Sequence, residues 1–117
     1  MKRVPVSVRL AVLGLCVATA LVLTGAAARA QDASIDITVQ DKQFQPAEVK
    51  APADKRIVIR VINRDANPME FESHALKVEK VVAGKGEGIV RVGPLKPGRY
   101  DFFDDFNKKN KGTLVVE

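Results

Sequence analysis

The feature that most constrains the fold is a series of short segments in which apolar and polar residues alternate. Residues 34–39 place Ile35, Ile37 and Val39 on one face of an extended chain. Residues 56–63 alternate again, but both faces carry branched side chains, as expected for a central strand that is covered on two sides. Turn-forming residues separate these segments, and no stretch has convincing helical periodicity. The pattern predicts a single all-β domain, folded as a sandwich of short strands.

The remaining strands are shorter and less regular. They are predicted at residues 47–50, 69–72, 89–92, 100–103 and 113–116, while residues 76–82 fit either a strand or one helical turn. The segment LKPGRY at residues 95–100 is typical of a tyrosine corner, in which the Tyr100 hydroxyl bonds to nearby backbone. The chain between the last two strands is predicted to be a loop that offers Asp104, Asp105, Asn107 and Asn110.

Residues 1–30 have the pattern of a secretory signal. A basic start precedes an apolar run at residues 10–23, and the small-residue pattern A-x-A ends at Ala30. The run is too short for a confident membrane span, and the residue before Cys16 is not the small one that a lipoprotein signal needs. We expect cleavage after Ala30 and a periplasmic domain at residues 31–117. Without cleavage, the same segment becomes an amino-terminal anchor.

Charge and cysteine content argue against several function classes. Four of the 19 basic residues lie in the predicted leader, whereas all 14 acidic residues follow it, which leaves 15 basic against 14 acidic residues and a net charge of +1. The basic character of the whole chain is therefore no argument for nucleic-acid binding. The single cysteine, Cys16, leaves with the leader, so the mature domain has no thiolate. No hydrolase motif is present, and we expect no stand-alone enzyme.

Residues 35–116 resemble the EfeO-type cupredoxin-like domain. Four segments carry the resemblance: TVQDKQFQP at 38–46, EFE at 70–72, EKVV at 79–82 with the glycines that follow, and residues 95–116. The resemblance implies a cupredoxin-like Greek-key β-sandwich that stands alone in a bacterial ferrous-iron uptake system. It also implies an iron or copper ion as cofactor, an iron permease or another periplasmic uptake component as partner, and contact with the membrane only through that partner.

The resemblance also implies metal ligands. In the family, a Glu-x-Glu pair and an Asp-x-x-Cys segment are proposed to bind metal. Glu70 and Glu72 match the pair, Asp101 matches the aspartate, and Asp104 stands where the cysteine would be. This exchange replaces a soft ligand with a hard one, which disfavours a copper electron carrier.

The residues point the same way by their own chemistry. Glu70 and Glu72 are two positions apart, so a strand directs them to one face. Asp101, Asp104 and Asp105 add three acids at a strand end, although strand parity sets Asp104 opposite the other two unless the strand twists or ends. If the two segments meet in space, their carboxylates would suit a hard cation such as iron.

Two alternatives remain open from the sequence. His74, the only histidine, shares the face of Glu70 and Glu72 if their strand continues; otherwise it is a surface histidine at the start of a loop. The acids, in turn, are either metal ligands or solvated side chains that nearby lysines neutralise. The predicted ligand set is Glu70, Glu72, Asp101, Asp104, Asp105 and His74.

The predicted function is metal binding in iron uptake. The protein would bind iron or copper through carboxylates and either pass the ion to a permease or support oxidation of Fe(II). The alternative is a metal-free docking module of a membrane transport complex.

Overall fold

The computed structural model describes residues 31–117, which form nine β-strands and no helix. The strands are β1 (Ala33–Gln40), β2 (Gln43–Gln45), β3 (Glu48–Ala51), β4 (Ile57–Asn63), β5 (Met69–Ser73), β6 (Val78–Val82), β7 (Glu87–Val92), β8 (Gly98–Asp104) and β9 (Asn107–Val116). The predicted leader lies outside the described residues. Within that described range, no helix is long and apolar enough to cross a membrane.

The strands of residues 31–117 make two sheets that enclose one core. One sheet has the order β2-β1-β4-β7, and the other has the order β3-β9-β8-β5-β6. β1 pairs in parallel with β4, and β3 with β9, whereas the other pairs are antiparallel. Because β4 and β5, and likewise β7 and β8, are consecutive in the chain but lie in different sheets, the chain crosses the sandwich repeatedly. The prediction of an all-β, two-sheet domain is confirmed.

The core is built from the alternating faces that the sequence shows. Ile57, Ile59 and Val61 of β4 are fully buried, but the prediction that both faces of this strand are covered is wrong, because its other face is only partly covered. In a two-layer sandwich only one face of each sheet packs on the core. On the opposite sheet, Phe71 and Phe102 lie with their ring centroids 5.0 Å apart. Aromatic and branched side chains from both sheets thus fill the interior, and this burial is the main favourable term in folding.

The predicted tyrosine corner is also confirmed. The Tyr100 hydroxyl donates a hydrogen bond of 2.8 Å to the carbonyl oxygen of Lys96. This contact joins the turn at residues 95–98 to the start of β8 and fixes the direction in which that strand enters its sheet.

Two local predictions change. Residues 78–82 form the strand β6, which resolves the choice between strand and helical turn. The loop predicted before the last strand is wrong, because β9 begins at Asn107 and leaves only Asp105 and Phe106 as a turn. The polar run KKNK concealed this strand: its lysines face solvent, while Asn110 turns inward and its Oδ1 accepts the Phe44 N–H at 2.9 Å.

Candidate metal site

The candidate site begins with the alternation of β5. Met69, Phe71 and Ser73 are buried, whereas Glu70 and Glu72 are only partly covered, which directs both carboxylates to the outer face of the sheet. The apolar residues hold β5 against the core. The prediction that Glu70 and Glu72 share one face is therefore confirmed.

A third carboxylate joins them from the neighbouring strand. β5 and β6 are antiparallel, with Glu72 directly opposite Glu79 and Glu70 opposite Val81. One carboxylate oxygen from each of Glu70, Glu72 and Glu79 lies within 4.8 Å of the other two. We call these three residues the carboxylate cluster. Directly opposite residues on one face of a sheet are close neighbours, so the pairing of the strands brings the cluster together.

The charges of the carboxylate cluster affect the pKa of Glu70. Partial loss of hydration raises the pKa of Glu70 above its usual value, and the nearby carboxylates of Asp105, Glu79, Glu72 and Asp104 raise it further. Each of these effects disfavours the charged form of Glu70. The β5–β6 hairpin thus holds three negatively charged side chains close enough to repel one another. A bound cation would offset this repulsion.

His74 flanks the cluster without belonging to it. β5 ends at Ser73, so His74 lies in the following turn, with its side chain 83% exposed. Its Nδ1 lies 3.9 Å from Oε1 of Glu72, and its ring centroid lies 5.4 Å from that of Phe103. The imidazole is therefore largely exposed to solvent and lies beside one of the three carboxylates.

Asp105 lies beside the cluster in the turn between β8 and β9. Its N–H donates to the carbonyl oxygen of Glu70 at 2.9 Å, which places the turn against the start of β5. Its carboxylate lies 3.6 Å from Nζ of Lys108, an exposed ion pair of the kind that contributes little to stability.

Asp104 faces the other way. Its side chain lies on the inner side of the sheet, is only 5% exposed, and is separated from the cluster by the backbone of β5 and β8. Its Oδ1 accepts the N–H of Glu70 at 3.0 Å and the N–H of Phe106 at 2.9 Å. The structure thus does not bring Asp104 together with Glu70 and Glu72. Instead, Asp104 fastens the β8–β9 turn to β5.

Asp101 shares the outer face but is engaged elsewhere. Its Oδ1 accepts a hydrogen bond of 2.9 Å from the hydroxyl of Thr113 on β9. The group of mutually close ligand atoms does not include it.

Glu79 is a cluster residue that was not predicted from the sequence. Its segment, residues 79–82, contributes to the family resemblance, but the pattern of that segment alone does not place its side chain near Glu72. The available signal was the short connection at residues 74–77, since such a connection favours an antiparallel hairpin with Glu72 opposite Glu79.

The donor set defines the chemistry. Three carboxylates and one nearby imidazole offer oxygen ligands and a single nitrogen, which suit hard to borderline cations. Soft cations such as Cu(I) prefer thiolate or thioether ligands. Residues 31–117 contain no cysteine, and Met69 points to the core instead of the cluster.

Comparison with known proteins places the chain in a family. The family described as the cupredoxin-like domain matches residues 12–116. An uncharacterized protein of Rickettsia prowazekii (strain Madrid E) is 36% identical over 83 residues, which cover 70% of this chain and 66% of that protein. The chain thus spans slightly less than two thirds of that relative's length.

Solved structures agree on the fold. The metal-binding domain of the Streptococcus pneumoniae Cu(I)-exporting P-type ATPase CopA, with Cu(I), superposes with a TM-score of 0.64 at 19% identity, covering 74% of this chain and 86% of that one. A reduced Cu(I) form of an amicyanin variant gives 0.61 at 18% identity, covering 78% and 89%. A copper-binding protein in its apo form gives 0.62 at 17% identity, covering 74% and 96%. The fold is that of a cupredoxin, and the chain belongs to the cupredoxin-like domain family.

Proposed function

We propose that this protein binds a metal ion through Glu70, Glu72 and Glu79, on the outer face of the β5–β6 hairpin. The observation that carries the proposal is the approach of three carboxylate oxygens to within 4.8 Å of one another. A cation among them would offset their mutual repulsion and the partial loss of hydration at Glu70. Rotation of the exposed His74 side chain would add a nitrogen ligand.

The donors favour iron or Cu(II). The structural neighbours described above are copper proteins, and two of those structures are Cu(I) forms. In this chain the close ligand atoms are carboxylate oxygens, which match Fe(II), Fe(III) and Cu(II) better than Cu(I). Because carboxylates are hard anions, they stabilise Fe(III) relative to Fe(II), so the cluster would favour the oxidised ion.

The proposed biological role is assistance to iron uptake. Its support is the resemblance to the EfeO-type domain, whose Glu-x-Glu pair corresponds to Glu70 and Glu72, and the location of the cluster at the surface. Glu79 is exposed, so a bound ion would remain accessible to a partner without any opening of the sandwich. We infer a periplasmic protein that holds iron or copper and passes it to an iron permease or another component of the uptake system.

Titration with metal ions tests the proposal. The protein is titrated with Fe(III)-citrate, Cu(II), Mn(II) and Ca(II), and binding is followed by calorimetry and by the melting temperature. Glu72→Gln and Glu79→Gln each remove one charge with little change of shape. We expect saturable binding by the unsubstituted protein and a loss of affinity of about tenfold or more in each variant, because each removes one charged ligand.

Glu48→Gln is the matched control. Glu48 is an exposed carboxylate on β3, at the opposite edge of the same sheet from β6. This variant should keep the affinity of the unsubstituted protein. Equal losses in all three variants would show a non-specific response to net charge, and the absence of saturable binding by every ion would exclude a metal site in this protein.

A further inference from the structure

A pocket of about 640 Å³ opens at one end of the sandwich. It lies where the β1–β2 turn, the β4–β5 loop and the β8–β9 turn meet. Its lining includes three acids, Asp41, Asp65 and Asp104, one lysine, Lys42, and the ring of Phe106, so its charged residues are acidic on balance. We call it the end pocket. The carboxylate cluster lies on the outer face of the sheet, whereas Asp104 reaches the end pocket from the inner side, so the two sites are separate.

Asp104 is the chemically unusual residue of the end pocket. It is a carboxyl side chain with 95% of its surface buried, yet no ion pair within residues 31–117 involves it. Both of its hydrogen bonds, from Glu70 and Phe106, end on Oδ1. Oδ2 accepts no hydrogen bond from the described residues, and it is not fully enclosed by the protein. Oδ2 is therefore the acceptor that the end pocket offers to a ligand.

The other acids of the end pocket do not assemble a metal site. Both oxygens of Asp65 already accept backbone N–H groups, those of Asp41 and Lys42, each at 2.8 Å. Among residues 31–117, the carboxylate cluster is the only group of three or more acidic, histidine or cysteine side chains whose ligand atoms all lie within 4.8 Å of one another. One available carboxylate oxygen suits a single ion pair with a hydrogen-bond donor, such as an ammonium or a guanidinium group.

Phe106 narrows the choice between these two cations. Its side chain is 55% exposed and lines the end pocket, so its ring is available to a ligand that enters there. A guanidinium group is planar and weakly hydrated, so it can stack on an aromatic ring while it donates to a carboxylate. An ammonium group is compact and strongly hydrated and would use the ring less well. An exposed aromatic beside a pocket is also typical of an anchor for a protein partner.

We propose that the end pocket is a docking site for an arginine side chain of a partner protein. The guanidinium group donates to Oδ2 of Asp104, and its face or stem packs against Phe106. Pocket volumes of about 300–1,000 Å³ are usual for ligand sites, so a single extended arginine side chain fits in the space available.

Short peptides test the proposal on the full chain, with a metal chelator present throughout. The probe is acetyl-Gly-Arg-Gly-amide, and its neutral isostere is acetyl-Gly-citrulline-Gly-amide. Binding is followed by the backbone amide NMR shifts of the protein. We expect saturable shifts centred on residues 67–69 and 104–107, and affinity for the citrulline peptide lower by about tenfold or more, since the charge-assisted bond is lost. Acetyl-Gly-Lys-Gly-amide should bind more weakly than the arginine peptide.

Three variants complete the test. Asp104→Asn keeps an Oδ1 acceptor for the two backbone N–H groups but removes the charge, and it should lose the preference for arginine over citrulline. Phe106→Ala changes only an exposed side chain and should weaken arginine binding several-fold. Glu72→Gln, on the outer face, should leave it unchanged.

Several outcomes overturn the proposal. They are the absence of saturable shifts, equal binding of the arginine and citrulline peptides, and shifts centred on the carboxylate cluster. If Asp104→Asn fails to fold, as judged by its melting temperature, the Phe106→Ala result decides, and unchanged affinity in that variant also overturns the proposal.

Discussion

Truncation of Asp104 should destabilise the protein far more than removal of an ordinary acidic residue. Asp104→Ala deletes the acceptor that two backbone N–H groups share, those of Glu70 at 3.0 Å and Phe106 at 2.9 Å. These donors belong to β5 and to the β8–β9 turn, which Asp104 joins. With the carboxylate gone, these two N–H groups lose the acceptor that the almost completely buried Asp104 side chain supplies.

The magnitude follows from the two bonds. A hydrogen bond to a charged group contributes about 1.5–3 kcal/mol, so the two together contribute at most about 6 kcal/mol. Truncation also removes the cost of burying the carboxylate, and we therefore expect a net loss of about 2–4 kcal/mol in the free energy of unfolding. In a domain of this size, that loss corresponds to a fall in melting temperature of about 10–25 °C.

Urea denaturation of the metal-free protein, with calorimetry alongside, measures the effect. The denaturation midpoint should fall while the m-value stays constant, because the fold remains the same. Asp104→Asn is the matched control: it keeps an oxygen acceptor but makes both bonds neutral, and it should lose about half as much. A free energy of unfolding for Asp104→Ala within about 0.5 kcal/mol of the unsubstituted protein would refute the assignment of Asp104 as the residue that joins β5 to the turn.

Two further predictions concern the cluster and the core. The pKa of Glu70 is raised above its usual 4.5, mainly by partial loss of hydration and then by neighbouring carboxylates, so the folded protein holds this proton more tightly than the unfolded chain does. The contribution of Glu70 to the free energy of unfolding is therefore present at low pH and is lost as pH rises from about 4.5 through the raised pKa. Glu70→Gln should raise the melting temperature of the metal-free protein at pH 7 but not at pH 4. An equal effect at both pH values would contradict this cause. Gly112→Ala should cost about 1–3 kcal/mol, since its new Cβ would overlap the buried ring of Phe102 and lie 2.8 Å from the carbonyl oxygen of Ala47. Gly98→Ala, whose Cβ would have its nearest neighbour at 3.6 Å, serves as the control in the same denaturation assay and should be nearly neutral.

Local pattern was sufficient for most of the strands. The period of two in β4 assigned Ile57, Ile59 and Val61 to one face, and all three are buried. The same period directed Glu70 and Glu72 to one side of β5. These predictions hold because the alternation of side chains depends only on the extended backbone of the strand itself. The tyrosine corner could also be predicted from the sequence, because its donor and acceptor lie only four residues apart in the chain.

The local sequence pattern failed to predict the first half of β9, because its residues do not have the composition that is usual for a strand. Residues 107–112 look like a polar loop, yet they form the first half of β9. The inward positions of this strand are occupied by Asn110 and Gly112, which are buried without being hydrophobic. Oδ1 of Asn110 accepts the N–H of Phe44, although its Nδ2 has no partner among the described residues. Gly112 is required because the ring of Phe102 fills the space that a side chain would need. Both contacts come from other strands, so they could not be predicted from the sequence of residues 107–112 alone.

The sequence by itself determined a sandwich of alternating strands, a pair of glutamates on one strand face and an acidic segment near the carboxyl end. Only the tertiary structure decided which of these acids meet. The register of β5 against β6 brings Glu79 to Glu72, and the burial of Asp104 between the sheets separates it from both. Strand register and the choice of sheet face depend on how all the strands pair and cover the core together. A shift of one residue would reverse every face, and the spacing of residues within one strand carries no information about that alignment.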